Sequence, residues 1–278
     1  MAHSVDTVET GAVTTAELSA DHPGVADPEY LRRRAEIAAA AIGLQPGEPA
    51  RHIDYTDSEN ETWAAAAKAL TELHHVYACR AFLNGVERLD LPTDRVPQLA
   101  DVSRRLQHLT NWQIDAAPGL APTREFYGSL GSRRFLSTQY VRHSSVPLYT
   151  PEPDVIHEVV GHANMLADPQ FAELYATAGA ASVRCTDDQL ARFSKTFWFT
   201  LEFGVVYEDG ELKAYGAGLL SSYGEIQAFR DAKIRDWDPD AMSVTEYDID
   251  QYQPVLFAAP DFDTMVTDLT SWFDAIGR

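Results

Sequence analysis

The sequence predicts a mainly α-helical domain with a few short strands, which is an α+β fold class. Two observations lead to this prediction: apolar residues recur at helical spacing over several long stretches, and β-branched alternation is confined to short ones. Strands that alternate regularly with helices, as in a parallel sheet, are not expected. A chain of 278 residues can bury a full core, so one large domain is predicted.

The N-terminal part of the chain divides into a tail and two helices. Residues 1–26 lack a sustained period and are expected to form a disordered tail, which leaves residues 27–278 as the folded domain. Asp27 and Pro28 have the pattern of an N-cap followed by proline at the first helical position, and this helix should run to Ile42. A second apolar stripe predicts one long helix from about residue 56 to residue 85.

Further helices and short strands should follow towards the C-terminus. Pro118, Gly119 and Pro122 exclude regular structure from the stretch 115–126, whose bare backbone could approach a flat ligand. The other expected elements are, in chain order, a short helix at 101–109, a strand and loop at 135–149, a helix at 187–207, a glycine-hinged turn and helix in AYGAGLLSSYGEIQAF, one or two strands after Pro239, and a last helix at 262–276.

Composition and charge exclude several classes of protein. Forty-two acidic against 22 basic residues give a net charge of −20, which disfavours binding to nucleic acid or to an anionic membrane. No apolar run is long enough to span a bilayer, no secretory signal is recognised, and two cysteines are too few for a disulfide framework. A cytoplasmic protein with reduced thiols is expected.

The stretch PEPDVIHEVVGH, residues 151–162, concentrates the side chains that could do chemistry. His157 and His162 are five residues apart, and residues five apart on an α-helix diverge by roughly 140°. Because Gly161 can leave the helical conformation cheaply, we expect the helix to end there and His162 to swing back towards His157. Glu158 should point away from a metal bound between the imidazoles.

Two neutral imidazoles and one carboxylate, with other positions open, form the ligand set of a non-haem Fe(II) site that activates O₂. Catalytic zinc uses a similar set, so a zinc hydrolase with Glu158 as general base is an alternative. In a third interpretation the histidines are packed residues, or they hold a metal that only stabilises a binding protein. Glu202, in FWFTLEFG, is the next carboxylate of interest downstream.

PEPDVIHEVVGH resembles the iron-binding segment of the pterin-dependent aromatic amino acid hydroxylases. YTDSENETWAAAAKAL, TQYVRHSSVPLYT, FWFTLEFGVV and AYGAGLLSSYGEIQ resemble other blocks of that family, in the same order. The resemblance covers about residues 54–260, which is the family's catalytic domain. It implies a helical basket around a non-haem iron site, and hydroxylation of the ring of free L-phenylalanine by O₂ with Fe(II) and a tetrahydropterin as cofactors.

The resemblance also implies which residues hold the cofactors. Glu158 should be the catalytic residue that orients pterin and water, and Phe126 should stack on the pterin ring. The implied iron ligands are His157, His162 and Glu202. The positions that correspond to pterin contacts are Gly119, Ala121 and Thr123.

For the amino acid substrate, the resemblance implies a cation that binds the α-carboxylate. Arg142 is the candidate, because its planar fork binds a carboxylate bidentately, and Asp154 would hold the guanidinium in place. A purely structural salt bridge is the alternative for this pair. The other residues expected to contact the amino acid or to buttress the iron ligands are Thr150, Pro153, Trp198, Phe203, Ser221 and Ser222.

Substrate and ring position depend on a few departures from the family pattern. Trp198 argues for a narrow pocket and so for phenylalanine, with a tryptophan hydroxylase of the same family as the alternative. Phe197 replaces a tyrosine common in the family. Cys185 resembles a cysteine of actinomycete members that hydroxylate phenylalanine at the meta position, which gives m-tyrosine. Thr200 is assigned to specificity together with Cys185. Hydroxylation at the para position, which gives L-tyrosine, is the alternative. No regulatory domain or oligomerising helix is recognised, so we expect a monomer whose only partners are small molecules.

Overall fold

The computed structural model describes residues 22–150, 152–249 and 251–278, together with the backbone of two strands near the N-terminus. Those strands, β1 (Val8–Thr10) and β2 (Val13–Thr15), pair antiparallel within the stretch predicted to be a tail. A 3₁₀ turn, Pro23–Ala26, follows. The prediction of disorder for residues 1–7, 11–12 and 16–21 lies outside the described residues, and the domain boundary at residue 27 stays a prediction.

Helices dominate the described chain, which confirms the predicted fold class. The first begins at the predicted N-cap, Asp27, whose carboxylate accepts the backbone N–H groups of Glu29 and Tyr30. In chain order the α-helices are α1 (Pro28–Ala39), α2 (Asp57–Tyr77), α3 (Arg80–Leu89), α4 (Leu99–Thr110), α5 (Thr123–Leu130), α6 (Asn164–Leu166), α7 (Pro169–Ser182), α8 (Asp187–Phe197), α9 (Ala217–Ser221), α10 (Glu225–Ala228), α11 (Pro239–Met242) and α12 (Phe262–Ile276).

The strands of the folded part form one pair and one sheet. The pair, β3 (Gln113–Ala116) and β4 (Arg134–Ser137), is parallel and is joined by α5. The sheet contains β5 (Val205–Glu208), β6 (Glu211–Ala214), β7 (Lys233–Asp236) and β8 (Val255–Ala259) in the order β6-β5-β8-β7. β5 and β6 are antiparallel, whereas β8 is parallel to both β5 and β7. Parallel strands joined through a helix therefore occur, although strands and helices do not alternate regularly along the described chain.

The long helix predicted from residue 56 to residue 85 is two helices. α2 ends at Tyr77 because Ala78 is extended and the N–H of Cys79 donates to the carbonyl of Ala214 at the end of β6. α3 then starts with Cys79 as its N-cap. A strand far along the chain thus interrupts a helix whose apolar period continues.

Other predicted boundaries also moved, and α1 ends at Ala39 instead of the predicted Ile42. Within the stretch 115–126, β3 extends to Ala116 and α5 begins at Thr123, so the irregular path is confined to residues 117–122. The helix predicted at 187–207 ends at Glu202, and a β-hairpin follows. Asp209 and Gly210 join its strands with positive φ values of 51° and 80°, as a two-residue hairpin turn requires.

The main cluster of the hydrophobic core reaches from α2 to α12, and two smaller clusters lie apart from it. Its largest fully buried side chains include Trp63, Trp112, Phe135, Phe171 and Phe193, and full burial of each phenylalanine stabilises the fold by about 1.5–3 kcal/mol. The stretch 155–167 passes through this cluster, so its backbone is packed on several sides. Within the described residues, no helix combines the length and the apolar character needed to cross a bilayer.

Candidate metal centre

His157 and His162 lie on a π-helical segment, His157–Ala163, that continues into α6. A π-helix has i→i+5 hydrogen bonds, so residues five apart lie on the same face of adjacent turns. The Nε2 atoms of the two imidazoles are 3.2 Å apart. The prediction that the helix ends at Gly161 was wrong, because a wider turn rather than a kink brings the imidazoles together.

Gly161 has a different role from the predicted one. A Cβ atom at this position would lie 2.9 Å from the carbonyl oxygen of Ala217 and 3.0 Å from its Cβ, which is closer than side chains pack. The missing side chain therefore lets α9 approach the π-helical segment. Since α9 ends at Ser221, the same approach brings Ser221 to His157.

Glu202 ends a second π-helical segment, Trp198–Glu202, which continues α8. Its Oε1 lies 3.2 Å from His162 Nε2, and its Oε2 lies 3.8 Å from His157 Nε2. Metal–ligand bonds of about 2.1 Å at right angles place neighbouring ligand atoms about 3 Å apart. The three groups form a triangle of the size that one metal ion needs, and two histidines with one carboxylate leave other coordination positions open.

Hydrogen bonds to the outer ring nitrogens determine which nitrogen can bind a metal. Ser221 Oγ lies 2.8 Å from His157 Nδ1 and donates its own proton to Ala217 O, 2.7 Å away. It therefore accepts the Nδ1–H of His157, whose Nε2 keeps a lone pair. On the other imidazole, Tyr175 Oη lies 2.8 Å from His162 Nδ1. Electron-pair donors that converge in this way are stabilised by a cation placed between them.

The charges around the triangle suit a divalent metal. Burial, and then the neighbouring His162, lower the pKa of His157 to about 4. Burial alone would raise the pKa of Glu202, but the two histidines outweigh it and lower that pKa. A neutral imidazole and an ionised carboxylate are the forms that bind metal.

Glu158 is a second carboxyl group at this site. Burial above all, with the charges of Glu202 and Asp154, raises its pKa well above the ordinary value, although a hydrogen bond from the Thr138 backbone opposes this. A Glu158 oxygen lies within 4.8 Å of the imidazole nitrogens, so the expectation that it points away from the metal position was wrong. Glu202 is within 3.2–3.8 Å of both imidazoles and is the better ligand candidate.

Arg142 and Asp154 form a buried bidentate ion pair. Arg142 donates from Nε at 3.0 Å and from Nη2 at 2.8 Å, and both side chains are at most 2% exposed. Asp154 also accepts the backbone N–H of His157, so the ion pair contacts a candidate metal ligand directly. Burial would raise the pKa of Asp154, but Arg142 outweighs it and lowers that pKa. Nη1 is the part of the guanidinium that Asp154 does not use.

Trp198 and Phe203 form an aromatic wall next to Glu202. Their ring centroids are 4.5 Å apart, and Tyr247 stacks on Trp198 at 4.3 Å with an interplanar angle of 11°. The indole N–H of Trp198 donates to Gln253 Oε1 at 3.0 Å. The predicted wall residues therefore lie in or directly after the segment that supplies Glu202.

The residues assigned to the pterin lie between β3 and the first turn of α5. Gly119 is buried, Ala121 is half-buried and Thr123 is exposed, and the first two line a cavity of about 620 Å³. The Phe126 ring lies 5.5 Å from the Phe135 ring, which lies 4.6 Å from the His162 imidazole. Phe126 is thus two ring contacts away from the metal triangle.

Three of the residues predicted to contact substrate or buttress ligands lie in nearby loops. Thr150 Oγ1 donates to the carbonyl of Glu152, and Pro153 is half-buried four residues before His157. Ser222 Oγ accepts the N–H of Glu225, the first residue of α10.

The two residues assigned to specificity are buried and bonded within their own segments. Cys185 Sγ donates to the carbonyl of Ala181, and its own carbonyl accepts Arg124 Nη1. Thr200 Oγ1 donates to the carbonyl of Thr196 inside the helix that leads to Glu202. Thr200 is therefore two residues before the candidate metal ligand Glu202, whereas Cys185 lies in the loop before α8.

Several side chains at the site were missed from the sequence. They are Phe135, Tyr175, Tyr247 and Gln253. Each contacts a site residue that is at least 13 positions away along the chain, and each lies in a stretch that reads as an ordinary helix, strand or loop. No local pattern could have found them.

A protein-family model described as the biopterin-dependent aromatic amino acid hydroxylases matches residues 3–278. Protein henna of Drosophila melanogaster is 44% identical over 269 residues, which are 95% of this chain and 60% of henna. Phenylalanine 3-hydroxylase of Streptomyces coeruleorubidus is 44% identical over 258 residues, 92% of each chain. Tyrosine 3-monooxygenase of Bos taurus is 42% identical, and this chain spans 55% of its length.

Solved structures of phenylalanine hydroxylases share the fold. One from Chromobacterium violaceum with bound Fe(III) superposes with a TM-score of 0.78 and 29% identity, covering 89% of this chain and 91% of the other. A second, with iron(III) and oxidised 7,8-dihydrobiopterin, has a TM-score of 0.76 and 29% identity and covers 88% and 90%.

Proposed function

Because this chain belongs to the biopterin-dependent aromatic amino acid hydroxylase family, we propose that it is a monooxygenase that hydroxylates the ring of free L-phenylalanine with O₂. Its cofactors are Fe(II) and a tetrahydropterin. The observation that carries the proposal is the triangle of His157 Nε2, His162 Nε2 and the Glu202 carboxylate. Iron(III) and dihydrobiopterin in the Chromobacterium violaceum enzyme support it.

His157, His162 and Glu202 bind the iron in this proposal. Ser221 fixes the His157 ring through Nδ1, so that Nε2 faces the metal. Two histidines and one carboxylate would hold the iron and leave its other coordination positions open. Iron and reduced pterin, when bound, supply the electrons that activate O₂.

The pterin lies against the loop between β3 and α5. Backbone groups of Gly119, Ala121 and Thr123 meet its edge, and Phe126 stacks on its ring. Glu158 faces the same space as the ligands, within 4.8 Å of the imidazole nitrogens, and orients pterin and water. The neighbouring aromatic rings keep bulk water out of this space.

Phenylalanine lies next to the iron with its ring against Trp198 and Phe203. The Nη1 group of Arg142 binds its α-carboxylate, while Asp154 holds the other side of the guanidinium. Secondary contacts come from Thr150, Pro153 and Ser222. The indole of Trp198 is fixed by Gln253, which keeps the pocket narrow and favours a phenyl ring over an indole ring.

We assign hydroxylation to the meta position of the ring. The support is the Streptomyces phenylalanine 3-hydroxylase, which matches this chain over 92% of both lengths, together with Cys185 and Thr200. The product is then m-tyrosine. In this proposal the chain acts as a cytoplasmic monomer whose partners are small molecules. Its net charge of −20 disfavours binding to nucleic acid and to an anionic membrane. Size-exclusion chromatography with light scattering tests the oligomeric state.

The first experiment tests metal, cofactor, substrate and ring position together. Purified protein is incubated with Fe(II), a reduced pterin, O₂ and phenylalanine, and ortho-, meta- and para-tyrosine are separated by chromatography. We expect m-tyrosine, no product without O₂, and no product from His162→Ala. His75→Ala, which removes an exposed histidine of α2, is the matched control and should keep full activity.

Para-tyrosine as the sole product would overturn the ring position and leave the family activity intact. Turnover of a hydrolysable substrate with zinc and without O₂ would favour the hydrolase. Absence of product from phenylalanine, tyrosine and tryptophan alike would refute the monooxygenase.

A further inference from the structure

We propose that Tyr175 is a positioning residue that orients the His162 imidazole for the metal, an inference that rests on the metal site of the proposed function. Its hydroxyl lies 2.8 Å from His162 Nδ1. α7, which carries Tyr175, contributes no ligand to the triangle. The site therefore extends to a helix that neither the motif nor the ligand set includes.

The surroundings of Tyr175 hold its ring in one orientation. The side chain is fully buried. Its ring meets those of His162 and Phe197 at 90° and that of Trp112 at 83°, with centroids 5.9–6.2 Å apart. Its hydroxyl also points to Met165 Sδ at 3.5 Å. A residue packed on three sides by rings has little freedom to move its oxygen, so it can fix a partner's position.

The position of one proton determines the direction of the hydrogen bond. A neutral imidazole carries a single N–H, and the nitrogen that binds metal must be free of it. Since His162 Nε2 faces Glu202 and His157 at 3.2 Å, its proton resides on Nδ1 when metal is bound. Tyr175 Oη then accepts that proton, and its own proton is directed to Met165 Sδ.

The two imidazoles are thereby held in matching ways. Ser221 accepts from Nδ1 of His157, and Tyr175 accepts from Nδ1 of His162. The two rings stand at 83° to each other, so neither ring orients the other by stacking. Each imidazole needs its own acceptor, and loss of such partners at metal sites lowers metal affinity about 10–100-fold.

A merely structural role for Tyr175 predicts a different result. If its hydroxyl only completes core packing, removal changes the stability of the metal-free protein and leaves metal affinity unchanged. Tyr215 is the matched control for this alternative. It is also fully buried, and its hydroxyl has no hydrogen-bond partner among the residues that the structure describes.

The test compares Tyr175→Phe, Tyr215→Phe and the unmodified protein. Dissociation constants for Fe(II) and Co(II) are measured without O₂ by chelator competition, with the visible spectrum of the Co(II) form as a second readout and unfolding of the metal-free forms as the stability control. We expect Tyr175→Phe to bind both metals about 10–100-fold more weakly and to shift the Co(II) bands. Tyr215→Phe should match the unmodified protein in its metal affinities and in its Co(II) spectrum.

Equal affinities and spectra for Tyr175→Phe and Tyr215→Phe would overturn the inference while the metal site stands. Failure of the unmodified protein to bind either metal would instead refute the proposed function, and this inference with it. Should Tyr175→Phe not fold, NMR of the unmodified, Zn(II)-loaded protein decides. A slowly exchanging His162 ring proton on Nδ1, with through-space contact to Tyr175, supports the inference, whereas a proton on Nε2 or a fast-exchanging one overturns it.

Discussion

At the scale of single residues, the site depends on buried polar groups that hydrogen-bond to other groups of the protein. Ser221 and Tyr175 meet the outer nitrogens of the two imidazoles. Asp154 accepts two hydrogen bonds from the Arg142 side chain and one from the backbone of His157. A buried polar group left without a partner costs about 1–3 kcal/mol, so each of these side chains has a defined orientation.

Arg142→Lys separates substrate binding from structural pairing. A lysine ammonium cannot serve Asp154 bidentately and a substrate carboxylate at once. We expect KM for phenylalanine to rise about tenfold or more, and the free energy of unfolding to fall by about 1–3 kcal/mol. Steady-state kinetics and urea unfolding measure the two effects.

The control is Arg33→Lys, because Arg33 forms a similar bidentate pair with Glu59 outside the proposed site. It should lose stability without a change in KM. If Arg142→Lys behaves in the same way, the buried pair is structural only.

At the scale of elements, both segments that carry the candidate metal ligands are π-helical. His157–Ala163 and Trp198–Glu202 each widen a helix where a ligand must reach the centre. Gly161 lets α9 pack against the first of them, since any side chain there would collide with Ala217. The metal triangle is therefore the product of two unusual turns and one close helix approach.

Gly161→Ala should push α9, and with it Ser221, away from His157. We expect the free energy of unfolding to fall by about 1–3 kcal/mol and affinity for Fe(II) to decrease. Gly128→Ala in α5 is the control, because its Cβ would meet only Val183 Cγ1 at an ordinary 3.6 Å; it should be neutral or stabilise the helix by about 0.5–1 kcal/mol. Calorimetry and chelator competition provide the measurements, and a Gly161→Ala protein with unchanged metal affinity would contradict this account of α9.

At the scale of the whole molecule, a buried hydrogen-bond chain joins α10, the segment before β8 and the aromatic wall. Glu225 accepts the backbone N–H of Gln253 at 2.7 Å, and the Gln253 side chain accepts the indole N–H of Trp198. Burial raises the pKa of Glu225 to about 7, although the hydrogen bond from Gln253 opposes the shift. The folded protein therefore holds a proton that the unfolded chain releases at lower pH.

Glu225 should make stability depend on pH. Its folded pKa lies above its unfolded value of 4.5, so its stabilising contribution is complete below pH 4.5 and is lost as pH rises through 7. Glu225→Gln stays neutral throughout. Its stability relative to the unmodified protein should rise by up to about 1.4 kcal/mol per pH unit between pH 5 and pH 7 and then level off.

Urea unfolding across pH 5–9 measures this difference. Glu246→Gln is the control, because its carboxylate is exposed and pairs with Lys195 at the surface; its curve should run parallel to that of the unmodified protein. A parallel curve for Glu225→Gln as well would show that Glu225 is not protonated in the fold at neutral pH.

Local signals in the sequence were sufficient for much of the fold. The Asp27 cap and Pro28 predict the start of α1, and α12 has its predicted bounds, Phe262–Ile276. The family resemblance is confirmed by the match over residues 3–278. The dipeptide Asp209-Gly210 is a typical sequence signal for a two-residue hairpin turn, but this signal was missed.

The sequence by itself therefore determined the helical class, the caps, the family and the ligand candidates His157, His162 and Glu202, because each depends on residue type and short-range spacing. Only the tertiary structure decided that α2 stops at Tyr77, that π-helical turns replace a glycine kink, and that Tyr175 meets His162. These features depend on contacts between segments far apart in the chain, such as Cys79 with Ala214 and Gly161 with Ala217. Packing between such segments can override a local hydrophobic period, so residue spacing alone cannot predict these features.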